Sequence, residues 1–243
     1  MAVVVLVHGA WHGGWCWERV VPALEQRGPR AVAVDLPGHG ADAGPLGDLH
    51  VDAARVRAVL DGAAPPVVLV GHSYGGAVIT EAGDHPAVAR LVFLAALALD
   101  HGESCVSAAT EASLPAGNPW TEGPNLAQGI VSADDGTTTL DPVVAAACLY
   151  NDCDDETVAW ALARLGPHPL GNLEQEPDAV SWRHRPATYA VCARDLAVPA
   201  DLQRVMARRC GRVVEWPTGH SPFLSRPELV VDLLVAEALG VSA

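Results

Sequence analysis

The chain has 243 residues, of which half are hydrophobic and 18% are charged. This composition supplies a sizeable core and excludes an intrinsically disordered protein. The formal charge is −14, from 29 acidic and 15 basic residues, and every basic residue is an arginine. Because an acidic surface repels phosphate groups, this charge disfavours nucleic acid and anionic membranes as partners, and we expect a small-molecule partner instead.

The N-terminal apolar run predicts a first strand and not a signal peptide, because no basic region precedes it and no small-residue cleavage site follows it. No apolar stretch reaches the roughly 18 to 20 residues that a membrane helix needs. The six cysteines form no C-x-x-C pair, and no histidine lies beside them at the spacing of a zinc site. We therefore expect a soluble cytoplasmic protein with free thiols and without a metal, a disulfide or a cofactor.

Short apolar runs alternate with stretches of helical periodicity along most of the chain. The predicted strands are residues 3–7, 31–34, 67–70, 91–95, 188–192 and 212–216. The predicted helices are residues 16–26, 49–60, 76–84, 201–209 and 227–239. This alternation predicts an α/β fold with a mostly parallel sheet and helices on both faces. Because no linker-like segment separates two cores, residues 1–243 are predicted to form a single domain.

Residues 101–185 interrupt this alternation, because they contain seven prolines and no convincing core strand. Short helical patterns remain at residues 142–150 and 154–165. An insertion of this length in a compact α/β domain commonly covers a binding site. We predict that residues 101–185 form a helical cap, and a structural elaboration without a function is the alternative.

A G-x-S-x-G pentapeptide stands between a predicted strand and a predicted helix. Its residues are Gly71, His72, Ser73, Tyr74 and Gly75. This motif places a serine at a sharp turn from strand to helix, where its small neighbours prevent a steric clash. The context predicts Ser73 as a nucleophile, against the alternative of an idle serine in a glycine-rich turn.

A serine nucleophile needs a base that takes its proton and an acid that orients the base. Asp195 follows the predicted strand 188–192, and His220 follows the predicted strand 212–216. The chain order of serine, acid and histidine is typical of serine hydrolases with an α/β sheet. We predict Ser73, Asp195 and His220 as a catalytic triad, and Asp100 is the alternative acid because it follows the strand at 91–95.

The other histidines fit the role of the base less well, because none combines a loop after a late strand with the expected chain order. Those weighed against His220 are His8 and His12 in the first loop, His39 in a turn, His72 beside the serine, and His101 and His168 in the predicted cap.

Acyl transfer also needs hydrogen-bond donors for the oxyanion of the tetrahedral intermediate, and backbone amides supply them without reorganisation. One donor is predicted to be the amide of Tyr74, which follows the nucleophile. The other is predicted to be the amide of Ala10, because the small Gly9 lets the first loop approach the serine closely. The alternative is that this loop is only a structural turn.

Three motifs together resemble the α/β-hydrolase superfamily, in particular its branch of plant methylesterases, hydroxynitrile lyases and bacterial esterase-like proteins. The motifs are residues 8–17 (HGAWHGGWCW), 35–40 (DLPGHG) and 71–76 (GHSYGG). The resemblance spans nearly the whole chain. It implies an α/β-hydrolase fold with a helical cap inserted after the sixth strand, and a serine triad that works without a cofactor.

Two positions depart from the lyase members that this chain resembles. Those lyases typically carry a threonine after the first histidine and a lysine after the catalytic one, whereas this chain has Gly9 and Ser221 there. The resemblance therefore implies a carboxylesterase that cleaves a small, largely apolar ester through an acyl-enzyme. The alternatives are a lyase, a C–C bond hydrolase or a cyclase of small-molecule metabolism with the same triad, and a ligand receptor without catalysis.

Four aromatic residues are predicted to line an apolar substrate pocket, although each could instead belong to the core of the cap. They are Trp11 near the first loop, and Trp120, Tyr150 and Trp160 in the predicted cap.

Overall fold

The computed structural model describes residues 2–111 and 125–241, and a six-stranded sheet forms its centre. The strands in chain order are β1 (Val3–Val7), β2 (Arg30–Val34), β3 (Val67–His72), β4 (Val88–Leu94), β5 (Ile130–Ser132), β6 (Thr137–Leu140), β7 (His168–Pro169), β8 (Ala187–Cys192) and β9 (Arg212–Trp216). The central sheet has the order β2-β1-β3-β4-β8-β9, and every neighbouring pair in it is parallel. The predicted parallel sheet is confirmed.

Helices connect these strands, as a parallel sheet requires. They are α1 (Val21–Gln26), α2 (Leu49–Asp61), α3 (Gly75–Ala82), α4 (Cys105–Glu111), α5 (Pro142–Leu149), α6 (Asp155–Leu162), α7 (Ala200–Ala207), α8 (Pro222–Ser225) and α9 (Pro227–Gly240). No helix in the described parts of the chain has the length and apolar character that a membrane crossing would require.

The two faces of the central sheet bury separate apolar cores. In β1, Val3, Val5 and Val7 pack into one core, whereas Val4 and Leu6 pack into the other. This division follows from the alternation of side chains along a strand. Helices α2, α3 and α7 cover the first face, and α1 and α9 cover the second, so the predicted helical layers are confirmed.

The first predicted helix, at residues 16–26, is interrupted in the structure. A 3₁₀ turn covers Gly14–Trp17, and α1 begins only at Val21. Pro22 lies in the first turn of α1, where a missing N–H is tolerated, and it cannot continue an earlier helix. The proline therefore sets the start of α1.

The insertion at residues 101–185 is not purely helical, and the prediction of a helical cap is corrected. It contains α4, α5 and α6, but also an antiparallel sheet of the order β5-β6-β7. These strands are two to four residues long, and Val131 is 55% exposed, so they lack the apolar run that marks a core strand.

The place of the insertion in the sheet also differs from the expectation. Residues 2–100 form four strands, β1 to β4, and all four belong to the central sheet. The insertion therefore leaves the sheet after its fourth strand in chain order, and not after a sixth. The chain then returns to the sheet through β8, which pairs with β4.

Candidate active site

Ser73 lies in the turn between β3 and α3 and has a left-handed backbone conformation with a φ of 53°. This conformation is strained for a residue with a side chain, and such strain is typical of functional sites. A Cβ atom on Gly71 would lie 2.4 Å from the carbonyl oxygen of Gly75, and one on Gly75 would lie 2.6 Å from that of His8. The predicted steric need for glycines on both sides of the serine is confirmed.

His220 and Asp195 form a buried hydrogen-bonded pair. The Nδ1 atom of His220 lies 2.7 Å from Oδ2 of Asp195, and both side chains are almost completely buried. The backbone amides of Ala197 and Val198 donate to the other carboxylate oxygen, at 2.7 and 2.9 Å. These bonds fix the carboxylate, which in turn fixes the orientation of the imidazole ring.

Gln203 of α7 supports the same carboxylate, and sequence reasoning missed it. Its Nε2 atom donates to Oδ2 of Asp195 at 2.7 Å and to the carbonyl oxygen of Val198 at 2.6 Å. Its Oε1 atom accepts from the amide of Cys192 at the end of β8. A glutamine in a helix carries no pattern that would have predicted this role.

The three predicted triad residues lie at the same edge of the central sheet. Ser73 follows β3, Asp195 follows β8 and His220 follows β9, so all lie at the carboxyl ends of parallel strands. The carbonyl oxygen of His220 lies 3.0 Å from Nε2 of His72, and the two rings are 4.5 Å apart. The loop that carries His220 therefore packs against the residue that precedes Ser73.

The alternative acid, Asp100, has a different partner. Its Oδ1 atom lies 2.6 Å from the guanidinium of Arg183 and accepts two hydrogen bonds from it. Its backbone amide donates to the Glu103 carboxylate. The structure thus pairs Asp195, and not Asp100, with His220.

Two alternative bases are held as neutral rings. Burial lowers the pKa of His8 to about 3 and the pKa of His12 to about 4. The Nε2 atom of His8 accepts from the amide of Leu36, and Nε2 of His12 lies 2.9 Å from the hydroxyl of Tyr150. Both rings therefore have structural partners in the core.

The two predicted oxyanion donors lie beside Ser73. Ala10 and Tyr74 line the same cavity as the serine. Within residues 2–111 and 125–241, neither backbone amide donates a hydrogen bond, whereas neighbouring turn amides do. A Cβ atom on Gly9 would lie 2.9 Å from Cβ of Ser73, which shows how closely the first loop approaches. Two free amides at a cavity can stabilise a developing oxyanion.

A cavity of about 420 Å³ opens at Ser73. Its wall contains no charged side chain among the described residues, which suits an uncharged ligand. The lining residues are Ala10, Trp11, Ser73, Tyr74, Leu97, Cys105, Val106, Ala109, Leu126, Ala127, Ile130, Leu173, Ala197 and Val198. Seven of these belong to the insertion, so the insertion forms much of the wall.

Of the three predicted pocket aromatics that the structure describes, only Trp11 lies in this wall. The hydroxyl of Tyr150 contacts His12, and Tyr150 packs in the core on the second face of the sheet. Trp160 packs edge-on against Trp15, with ring centroids 5.3 Å apart, and lines a separate cleft. The predictions for Tyr150 and Trp160 are therefore wrong, because α5 and α6 pack against the second face.

The fourth aromatic residue, Trp120, lies outside the described residues. Sequence reasoning missed the aliphatic residues of the wall because small apolar side chains are equally typical of a hydrophobic core.

Among the described residues, three side chains converge closely enough to hold a metal ion: His50, Glu81 and Asp178. Glu81 is already paired with His50 at 2.9 Å and with Arg57 at 3.4 Å. The guanidinium of Arg57 would repel a cation there. This cluster is better explained as a set of ion pairs between α2 and α3.

Comparisons with known proteins identify the family to which the chain is similar. The model of a family described as the alpha/beta hydrolase family matches residues 4–233. A carbendazim hydrolyzing esterase of Nocardioides sp. (strain SG-4G) is 40% identical over 248 residues, covering 97% of this chain and 99% of the esterase. Methylesterase 9 of Arabidopsis thaliana is 28% identical over 254 residues, covering 95% and 96% of the two chains.

The solved structures agree as well. A pyrethroid hydrolase from Sphingobium faniae JZ-2 has a TM-score of 0.83 and 27% sequence identity, covering 98% of this chain and 97% of that chain. The predicted resemblance to plant methylesterases and bacterial esterase-like proteins is therefore confirmed.

Proposed function

Because the chain belongs to the α/β hydrolase family, we propose that this enzyme is a cofactor-independent serine hydrolase that cleaves a carboxylic ester of a small, largely apolar molecule. The observation that carries the proposal is the buried pair of His220 and Asp195, at the same sheet edge as the strained Ser73. Relatives named as an esterase and a methylesterase support the choice of ester hydrolysis.

The reaction begins when Oγ of Ser73 attacks the ester carbonyl carbon while His220 accepts the hydroxyl proton. Asp195 holds the imidazole in the tautomer whose Nε2 can accept that proton, because Nδ1 donates to the carboxylate. His220 then returns the proton to the departing alcohol, which leaves an acyl group on Ser73. Water, activated by the same histidine, releases the acid and restores the serine.

The negative charge of the tetrahedral intermediate is stabilised by the amides of Ala10 and Tyr74. Because these amides have no other acceptor within the described residues, they are available without reorganisation. The described residues of the cavity wall carry no charge, which favours a neutral ester, since a charged group would lose its hydration there without gaining a partner among them.

The proposal is tested by replacing the nucleophile and assaying an aryl ester such as p-nitrophenyl acetate. We expect Ser73→Ala to lower kcat by about 10⁴-fold or more, because the remaining groups cannot form an acyl-enzyme. Ser181→Ala is the control, since its hydroxyl donates to the carbonyl oxygen of Ile79 away from the cavity. The control should retain kcat within about twofold.

Undiminished turnover by Ser73→Ala would overturn the proposal. Loss of turnover in Ser73→Ala, together with no covalent adduct on Ser73 of the wild-type protein when a good substrate is used, would instead favour lyase or cyclase chemistry in which the serine only relays a proton. A wild-type protein that reacts with no ester and with no fluorophosphonate probe would favour a receptor.

A further inference from the structure

A buried polar cluster lies behind Ser73, and the proposed mechanism does not use it. The hydroxyl of Tyr74 donates to Oδ2 of Asp52 at 2.6 Å. The amide of Asn172 lies 3.3 Å from the same carboxylate oxygen, 3.3 Å from the hydroxyl of Tyr74, and 3.0 Å from the carbonyl oxygen of Gly47. Asp52, Tyr74 and Asn172, whose side chains form this cluster, are each at most 2% exposed.

Asp52 stands where the packing of α2 calls for an apolar residue. Its neighbours on the buried face of this helix are Leu49, Ala53, Val56 and Leu60. Burial raises the pKa of the Asp52 carboxyl to about 7, although the hydrogen bonds from Tyr74 and Asn172 oppose this shift. Its second carboxylate oxygen has no partner among the described residues. A buried carboxyl group of this kind destabilises the fold. Its presence therefore points to a role that an apolar residue could not fill.

Tyr74 connects this cluster to the reacting atoms. Its backbone amide is one of the two proposed oxyanion donors, and its carbonyl oxygen accepts from the amides of Ala77 and Val78 in the first turn of α3. Its ring packs edge-on against His168 of β7, with centroids 4.7 Å apart. The backbone of Tyr74 is thus fixed by α3, and its side chain is fixed at the far end of the ring.

The contacts of Tyr74 come from two parts of the fold. Asp52 belongs to α2 of the sheet layers, whereas His168 and Asn172 belong to the insertion. A tyrosine side chain that is anchored at its hydroxyl cannot change its χ1 rotamer without breaking that hydrogen bond, so the anchor restrains the Cα atom and the peptide group before it. A displacement of about 1 Å at a catalytic group can lower a rate by about 100-fold.

We propose that Asp52 and Asn172 are positioning residues that hold Tyr74, and with it the direction of its backbone amide in the oxyanion hole. This inference rests on the proposed ester hydrolysis. It gives the insertion a second role, because the insertion supplies Asn172 to the support of the oxyanion donor as well as side chains to the wall of the cavity.

The proposal is tested by kcat, KM and melting temperature for four variants on the aryl ester. Asp52→Ala and Tyr74→Phe each remove the hydrogen bond, and we expect each to lower kcat by about 10- to 100-fold with KM within about threefold, since the loss concerns the transition state. Asp52→Asn keeps an oxygen that accepts from the tyrosine, and should retain kcat within about fivefold. Asn172→Ala should lower kcat by about five- to tenfold.

A further measurement reads the oxyanion hole directly. A trifluoromethyl ketone forms a tetrahedral adduct with a serine and needs the oxyanion donors, whereas the corresponding methyl ketone binds mainly through the wall of the cavity. Asp52→Ala should weaken inhibition by the trifluoromethyl ketone by about the factor lost in kcat, and leave inhibition by the methyl ketone within about threefold. Thr188→Val is the control, because it removes a different buried hydrogen bond, to Glu237. It should lower the melting temperature without changing kcat.

The inference would be overturned if Asp52→Ala and Tyr74→Phe lose stability as Thr188→Val does but keep kcat and inhibition by the trifluoromethyl ketone. The proposed function would remain intact in that case. If Asp52→Ala does not fold, Tyr74→Phe decides alone, since it removes a single oxygen atom. A wild-type protein that hydrolyses no ester would overturn both the proposed function and this inference.

Discussion

The conformation of single residues decides the chemistry of this site. Ser73 is held with a φ of 53°, and the glycines around it allow backbone atoms to approach within distances that no Cβ atom tolerates. Gly9 also leaves no room for a side chain, because a Cβ atom there would lie 2.9 Å from Cβ of Ser73 and 3.0 Å from Nδ1 of His72. The first loop and the serine turn are therefore fitted to each other.

This fit gives a prediction for Gly9→Ala. The added methyl group must push the first loop away from Ser73, which moves the amide of Ala10 from the oxyanion, and we expect kcat/KM to fall by about 100-fold. The control is Gly211→Ala, whose Cβ atom would meet nothing closer than 4.0 Å. Wild-type kcat/KM in Gly9→Ala, measured with the aryl ester, would contradict the assignment of Ala10 as a donor.

Sequence reasoning at this scale succeeded where a residue type and its chain order are tightly constrained. A serine between glycines after a strand, and a histidine after the last strand, leave few alternatives. It failed for Gln203, Asp52 and Asn172, which are polar residues buried by contacts between distant segments. Their hydrogen-bond partners lie 5 to 125 residues away along the chain, and no local pattern encodes such contacts.

At the scale of elements, the central sheet was predictable because its inner strands are largely buried on both faces and read as continuous apolar runs. The insertion was less predictable. Its strands β5 and β6 are short and partly exposed, and β7 has two residues, His168 and Pro169. Their place is set by pairing with each other and by contacts such as that between Nε1 of Trp11 and Oγ1 of Thr138, and not by apolar periodicity.

The start of α5 in the insertion gives a prediction at this scale. Asp141 caps the helix, since its carboxylate accepts from the amides of Val143 and Val144 at 2.9 and 3.1 Å. Asp141→Ala should cost about 1 kcal/mol and lower the melting temperature by about 2 to 4 °C. Asp134→Ala, at an exposed position, should shift it by less than about 2 °C. Equal melting temperatures for both variants would show that the cap contributes nothing.

For the whole molecule, five buried histidines make stability depend on pH. Burial lowers the pKa of each in the folded protein, whereas histidines of the unfolded chain titrate near 6.5. Below about pH 6.5 the unfolded chain therefore binds more protons, and the folded state loses stability as the pH falls. The five residues are His8, His12, His39, His72 and His168.

Asp52 acts in the opposite sense, because its folded pKa is raised to about 7 and its unfolded carboxyl titrates near 3.8. The histidines outnumber it. As the pH falls from 6.5 to about 4, each histidine that stays neutral in the folded protein should lower the free energy of unfolding by about 1.4 kcal/mol per pH unit. Asp52 should raise it by about the same amount per pH unit, so it offsets one histidine. Urea unfolding at pH 7, 6 and 5 measures this slope, and a free energy that stays constant over this range would contradict the account.

The central claim is that Ser73 becomes covalently acylated with the help of His220 and Asp195. Intact-mass and peptide mass spectrometry after reaction with a fluorophosphonate, or after rapid quenching with an aryl ester, measures this most directly. The account predicts one adduct per chain on the peptide that contains Ser73, and none in Ser73→Ala. An adduct on another residue, or continued ester turnover with Ser73 unmodified, would contradict it.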